Sequence, residues 1–98
     1  MATFIATVKF TEKGIQGIRE TGKRANAFKA AAKKMGVKVT GVYWTLGYFD
    51  GVIIFDAPDG ETAAAAMIHL SGQGHVHTTT SRAFQAGEIE KVVGMLGK

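Results

Sequence analysis

The chain opens with apolar residues at every second position, which is the period of a β-strand. From Thr3 to Phe10 this alternation predicts a strand that buries one of its two faces. The residues expected on the buried face are Phe4, Ala6, Val8 and Phe10. Ile5 lies on the other face, so that face is not purely polar either.

A period of three to four residues follows as far as Met35 and predicts a helix. Thr11 precedes this helix and has the side-chain oxygen that an N-cap needs, while Gly36 is placed to end it. Gly22 falls where the apolar spacing loosens. An interior glycine costs about 1 kcal/mol relative to alanine, so we expect a bend or a short break at Gly22.

The middle of the chain predicts a β-hairpin. Val37 to Leu46 is rich in β-branched and aromatic residues, and Val52 to Phe55 is a second strand-like run. The segment from Gly47 to Gly51 between them has the composition of a turn. Because apolar residues stand at consecutive positions in both strands, large side chains fall on both faces of the sheet.

The last third predicts a helix, a strand and a helix. Asp59 suits the N-cap of an alanine-rich helix, a threonine-rich strand runs from His75 to Phe84, and a short helix runs from Ala86 to Leu96. The order β-α-β-β-α-β-α predicts an α+β fold, a ferredoxin-like βαββαβ sandwich with an extra C-terminal helix. We expect one domain over residues 1–98.

Composition narrows the classes of function. The chain has no cysteine, which excludes disulfides, thiolate nucleophiles and cysteine-ligated zinc or iron–sulfur sites. The absence of disulfides favours a reducing compartment. No leader-like start and no long apolar run is present, so the sequence predicts a cytoplasmic protein that does not enter the membrane.

The formal net charge is +4, and the positive charges are concentrated in the first 38 residues. The basic residues there are Lys9, Lys13, Arg19, Lys23, Arg24, Lys29, Lys33, Lys34 and Lys38. We interpret them as the solvated face of the first helix. Nucleic-acid binding through this helix is kept as an alternative.

His75 and His77 stand two positions apart on the predicted fourth strand, which would place both imidazoles on one face about 7 Å apart. A metal site would need a third ligand, such as Asp50, Asp56 or His69. We favour two partly exposed histidines, and we predict no metal and no cofactor.

Asp50 lies near Tyr48 and Trp44 in the hairpin, where these three and a histidine could line a pocket for general acid–base chemistry. The simpler interpretation is that the Asp50 side chain closes the turn by accepting backbone N–H bonds. Arg82 is expected to pair with Asp56 or Asp50. The candidate ligand-binding residues are Trp44, Tyr48, Asp50, His75 and His77, and no catalytic residue is assigned.

Several short motifs resemble the signature of the GYD-domain family of small bacterial proteins. They are Lys9 to Ile15, Tyr43 to Gly47, Asp50, Ala57 to Asp59 and Arg82 to Phe84. The resemblance runs from about Ala2 to Val92 and implies a ferredoxin-like fold of the dimeric α/β-barrel type, with no known activity. Where the family has a Gly-x-Tyr-Asp-like element this chain has Gly47-Tyr48-Phe49-Asp50, so Phe49 supplies no hydroxyl there.

The sequence thus leads to three hypotheses about function. The first is a small oligomeric domain, at least a homodimer, that binds a small molecule at the open face of its sheet. The second is a cofactor-independent enzyme of the dimeric α/β-barrel type that acts on a small substrate, an analogy of fold. The third is a weak nucleic-acid binder that uses the basic first helix.

Overall fold

The computed structural model describes residues 1–97, which form four strands, four α-helices and one short 3₁₀ helix. The elements are β1 (Ala2–Phe10), α1 (Glu12–Gln16), the 3₁₀ helix (Ile18–Glu20), α2 (Thr21–Lys34), β2 (Lys38–Trp44), β3 (Gly51–Ala57), α3 (Gly60–Ser71), β4 (Val76–Ala83) and α4 (Ala86–Gly94). Their order is the one that the sequence predicts. β3 is longer at both ends than predicted, and β4 and α4 are shorter.

The four strands form one antiparallel sheet in the order β2-β3-β1-β4. One side of it is covered by α2 and α3, because Phe28 of α2 and Ala66 of α3 belong to the same buried cluster as Ala6 and Phe55 of the sheet. This strand order agrees with the ferredoxin-like prediction.

The other side of the sheet, which we call the open face, carries apolar side chains along its middle. Ile5 pairs with Ile54, and Tyr43 pairs with Val52. Ile5 is 37% and Tyr43 60% exposed, whereas Ile54 and Val52 are half-buried. The prediction of apolar side chains on both faces is therefore confirmed.

The first helical segment breaks at Gly17 and not at Gly22, so the predicted position is wrong. Gly17 takes a non-helical conformation with φ −98° and ψ 24°. Its carbonyl oxygen accepts hydrogen bonds from Arg24 Nη1 at 2.9 Å and from the Glu20 N–H at 3.0 Å. Gly22 is exposed inside α2, where its cost of about 1 kcal/mol is too small to end a helix of 14 residues.

The helix stops at Gly36 as predicted, since this residue has φ +81°, which favours glycine. The two predicted N-caps are also present. Thr11 Oγ1 accepts from the Gly14 N–H at 3.1 Å, and Asp59 Oδ1 accepts from the Thr62 N–H at 2.7 Å. These ends are set by local chemistry and fix where α1, α2 and α3 meet the strands.

α4 is little covered by the rest of the fold, since none of its residues is buried. The Cα radius of gyration is 14.9 Å, compared with about 12.6 Å for a compact chain of this length, and the longest dimension is 54 Å. No helix within residues 1–97 is both long enough and apolar enough to cross a membrane.

Candidate functional site

A cavity of about 70 Å³ lies between α2 and the sheet, beside the β2–β3 hairpin. Its apolar lining includes Val8, Phe28, Val42, Ile53 and Val76. Its polar lining includes Thr21, Arg24, Trp44, Asp50, Gln73 and His75. The cavity is on the helix-covered side of the sheet, whereas the sequence placed a small-molecule site on the open face.

Asp50 is held by backbone hydrogen bonds at the end of the hairpin. Its Oδ2 atom accepts from the Phe10 N–H at 2.8 Å, and its own N–H donates to the Val8 carbonyl at 2.7 Å. The Asp50 carbonyl accepts from the Thr45 N–H at 2.9 Å. The Asp50 side chain accepts a backbone N–H as expected, but that N–H belongs to Phe10 of β1, and the bond across the hairpin turn is made by the Asp50 backbone carbonyl. A role of Asp50 in ligand binding stays a prediction.

Trp44 connects the hairpin to α2. Its Nε1 atom donates to Thr21 Oγ1 at 3.0 Å, and its side chain is 50% exposed. Tyr43, the preceding residue, is more exposed still. Within this chain neither aromatic side chain lies in the core.

His75 lies one residue before β4, and its carbonyl accepts from the Thr11 N–H at 3.0 Å. Its Nδ1 atom is buried and has no hydrogen-bond partner within residues 1–97. Burial of the imidazole, and then the positive charges of Arg24 and Lys13, lower the pKa of His75 below its usual value. The folded protein therefore favours the neutral imidazole.

His77 does not share a site with His75, so the prediction of two histidines on one face is wrong. His77 is paired with Lys9 across β4 and β1 and is exposed. Because β4 begins only at Val76, strand alternation does not reach back to His75. Within residues 1–97, no three His, Asp or Glu side chains are close enough together to hold a metal ion.

Tyr48 also lies outside the cavity. It is 86% exposed, and Lys9 Nζ lies 4.5 Å from the centre of its ring. The structure thus brings Trp44, Asp50 and His75 to one cavity and leaves Tyr48 and His77 apart from it. Ligand binding by these five residues stays a prediction.

Arg82 pairs with Glu88 and not with Asp56 or Asp50. Its Nη2 atom lies 3.1 Å from Glu88 Oε2, and its guanidinium lies 4.5 Å from the centre of the Phe84 ring. The Gln85 N–H and then the Arg82 guanidinium lower the pKa of Glu88. Only two residues separate β4 from α4. The carboxylate of Glu88 therefore lies closer to Arg82 than the carboxylates of Asp50 and Asp56 do.

Sequence reasoning missed Thr21 and Arg24 as cavity residues. Arg24 was counted among the solvated cations, but its guanidinium donates to the carbonyls of Gly17 and Gly14 at 2.9 and 3.5 Å. The spacing of residues along α2 could have identified them. Thr21, Arg24 and Phe28 recur every three to four positions and therefore share one face of α2.

A second feature of the surface is a row of apolar side chains on and just after α4, which we call the α4 stripe. It consists of Ile89, Val92, Val93 and Leu96, which are 44, 38, 56 and 80% exposed. The i, i+3, i+4, i+7 spacing puts them on one side of the helix. An exposed stripe of this kind marks a surface for interaction.

A family model described as the GYD domain matches residues 4–93. The chain belongs to the GYD domain family. It is 31% identical over 90 residues to a Thermus thermophilus protein named "Glutamine synthetase and cystathionine beta-lyase binding protein", and the match covers 91% of this chain and 95% of that protein. The resemblance noted in the sequence is thereby confirmed.

Solved structures of similar fold are also found. The crystal structure of TTHA0845 from Thermus thermophilus aligns with a TM-score of 0.58 at 23% identity, covering 88% of this chain and 96% of that one. The C-terminal domain of the MgtC protein from Mycobacterium tuberculosis gives a TM-score of 0.48 at 10% identity, covering 86% and 88%. The first of these supports the α+β fold.

Proposed function

We propose that this GYD domain is a protein-binding module that docks on an enzyme of amino-acid metabolism through the α4 stripe. The observation that carries the proposal is the stripe itself, three exposed apolar side chains on one side of α4 and a fourth, Leu96, just after its end. The relative named for binding glutamine synthetase and cystathionine beta-lyase supports the choice of partner. Glutamine synthetase is the first candidate.

The geometry of α4 suits helix-in-groove recognition, in which an amphipathic helix lays its apolar side into a groove of the partner. The N-terminus of α4 is fixed before binding, because the Gln85 N–H donates to Glu88 Oε1 at 3.1 Å and Arg82 pairs with the same carboxylate. A helix that is already formed loses less conformational entropy when it binds.

The open face supports a second part of the proposal, which is self-association into a dimer of the α/β-barrel type. Ile5, Val52 and Ile54 give that face an apolar centre, and its border is polar, with Thr3 Oγ1 donating to Asp56 Oδ1 at 2.7 Å. An apolar centre inside a polar rim is typical of protein interfaces. A dimer would present two α4 helices and bind an oligomeric enzyme with higher avidity. A cytoplasmic location stays a prediction.

The docking test uses purified glutamine synthetase and cystathionine beta-lyase from the same organism as this chain. Binding of immobilised wild-type chain to each enzyme is measured by biolayer interferometry. We expect the double variant Ile89→Glu, Val93→Glu to weaken binding at least about 100-fold, because two carboxylates would be desolvated in an apolar groove.

The matched control is Lys91→Glu, which places a carboxylate on the same helix outside the stripe. This variant should bind within about threefold of wild type, since exposed charges contribute little. Circular dichroism checks that all variants are folded. The proposal is wrong if wild type binds neither enzyme, or if Lys91→Glu loses as much affinity as the double variant.

A further inference from the structure

The cavity between α2 and the sheet holds one polar atom that the chain does not satisfy. Thr21 Oγ1 accepts from Trp44, Asp50 Oδ2 accepts from the Phe10 N–H, and Arg24 donates to two carbonyls. Among the buried side-chain nitrogen and oxygen atoms of residues 1–97, His75 Nδ1 is the one without a hydrogen-bond partner. A buried polar group without a partner destabilises the fold and indicates that something else completes it.

The size and lining of the cavity limit which molecule can be the missing hydrogen-bond partner of His75. A volume of about 70 Å³ holds a molecule of a few heavy atoms, since about 10–15 Å³ in the same measure is enough for one water. Most of the lining is aliphatic or aromatic, including Val42, Ile53 and Val76. Water alone would satisfy the polar end beside His75 but would leave these apolar walls without contacts.

The charges around His75 favour an anionic group. Arg24 of α2 lines the cavity, and Lys13 of α1 acts on the same imidazole. Asp50 of the hairpin is the opposing charge, and its Oδ2 atom is turned to the Phe10 N–H. Two cations and one carboxylate leave a net positive potential, and the chain as a whole carries +4.

We propose that this cavity binds a small aliphatic monocarboxylate, whose carboxylate hydrogen-bonds to His75 beside Arg24 and whose alkyl group packs on Val42 and Ile53. The site is separate from the α4 stripe, so the proposal stands or fails independently of the docking function. Binding of the anion stabilises the protonated imidazole. The pKa of His75 should therefore rise when the anion binds, reversing the direction that burial, Arg24 and Lys13 otherwise impose.

The test is a titration of the ¹⁵N-labelled chain with three probes that share one branched four-carbon skeleton, namely isobutyrate, isobutanol and isobutylamine. We expect isobutyrate to bind about tenfold or more tightly than isobutanol, because it makes a charge-assisted hydrogen bond in the same cavity. Isobutylamine should bind weakest. The imidazole resonances of His75 should report a raised pKa at saturation, while those of the exposed His77 should not change.

Two variants locate the site. His75→Phe should remove the preference for isobutyrate over isobutanol, and Ala25→Leu, which extends a cavity-lining side chain, should abolish binding of all three probes. Equal affinities for isobutyrate and isobutanol, no binding at about 50 mM of any probe, or an unchanged pKa of His75 would each overturn the proposal. If Ala25→Leu fails to fold, the His75→Phe comparison and the pKa of His75 still decide it.

Discussion

At the scale of single residues, the glycine with the least room for a side chain lies where α1 meets the residue that precedes β4. A Cβ atom built on Gly14 would lie 2.1 Å from the carbonyl oxygen of His75. That carbonyl also accepts the Thr11 N–H, so it cannot turn away without losing a hydrogen bond. Position 14 therefore requires glycine because there is no room for a Cβ atom, although the φ angle of Gly14 is not positive.

We predict that Gly14→Ala lowers the free energy of unfolding by about 3 kcal/mol, because the backbone must shift to admit the methyl group. The measurement is urea denaturation followed by circular dichroism. The matched control is Gly22→Ala in α2, where a Cβ would meet nothing within 4 Å. This control should stabilise the fold by about 1 kcal/mol. If the two substitutions changed the free energy of unfolding equally, the close approach of Gly14 to the His75 carbonyl would not explain the result.

His75 gives a prediction about pH. The unfolded chain protonates His75 with its ordinary pKa of 6.5, while the folded state resists protonation because its pKa is lowered. The contribution of His75 to stability is thus fully present above pH 6.5 and is lost as the pH falls through the folded pKa.

The free energy of unfolding should therefore decrease as the pH is lowered below 6.5, the ordinary pKa of His75, as measured by urea denaturation. His75→Asn, which does not titrate there, should make this decrease smaller. His77→Asn should leave the decrease as in wild type, since the side chain is exposed. An unchanged pH dependence in His75→Asn would show that other groups cause it.

At the scale of elements, the junctions between helices and strands depend on single hydroxyl groups. Thr11 Oγ1 accepts from the Gly14 N–H at 3.1 Å and donates to the Gly74 carbonyl at 2.7 Å. It thus caps α1 and ties it to the loop between α3 and β4. The end of β1, the start of α1 and the loop that precedes β4, which is 63 residues further along the chain, meet at this side chain.

We predict that Thr11→Val lowers the free energy of unfolding by about 1 to 2 kcal/mol, since it removes the N-cap and the bond to Gly74 while keeping the shape of the side chain. Thermal denaturation provides the measurement. Thr11→Ser keeps the hydroxyl and should cost less than half as much. If the serine variant were as unstable as the valine variant, the lost methyl group, not the hydrogen bonds, would account for the effect.

At the scale of the whole molecule, the main feature is the presence of two apolar surfaces that the rest of the chain does not cover. The open face and the α4 stripe both leave large side chains in contact with water within this chain. Burying about 400 Å² of such surface would contribute on the order of 10 kcal/mol before the entropy of association is subtracted. Self-association is the expected response of a small domain that cannot cover its own sheet.

We predict a homodimer, or a multiple of one, that persists at micromolar concentration and in high salt, because apolar contacts are not screened. Sedimentation equilibrium distinguishes it from a monomer of 10.4 kDa. Ile54→Lys on the open face should shift the chain towards the monomer. The control Ala30→Lys adds the same charge to an exposed position of α2 and should leave the dimer intact. A wild-type monomer at these concentrations would show that the face needs no partner.

The sequence by itself determined the features that depend on neighbours along the chain. The order of elements follows from the hydrophobic periodicity, and the helix ends at Thr11, Gly36 and Asp59 follow from capping chemistry within three residues. The alternation in β1 placed Ile5 on the open face, because successive side chains of a strand point to opposite faces. Family membership also followed from the sequence, through short motifs near Asp50.

The tertiary structure decided what depends on contacts between different elements, some of them only six or seven residues apart in the chain. Arg24 donates to the Gly17 carbonyl, where the first helix breaks. Arg82 pairs with Glu88 and not with Asp56. His75 and His77 separate because the strand begins between them, at a boundary that the β1 pairing sets. Periodicity reports which side of an element is apolar, but it contains no information on which groups meet across the fold. The cavity and its unpaired imidazole nitrogen are products of that packing.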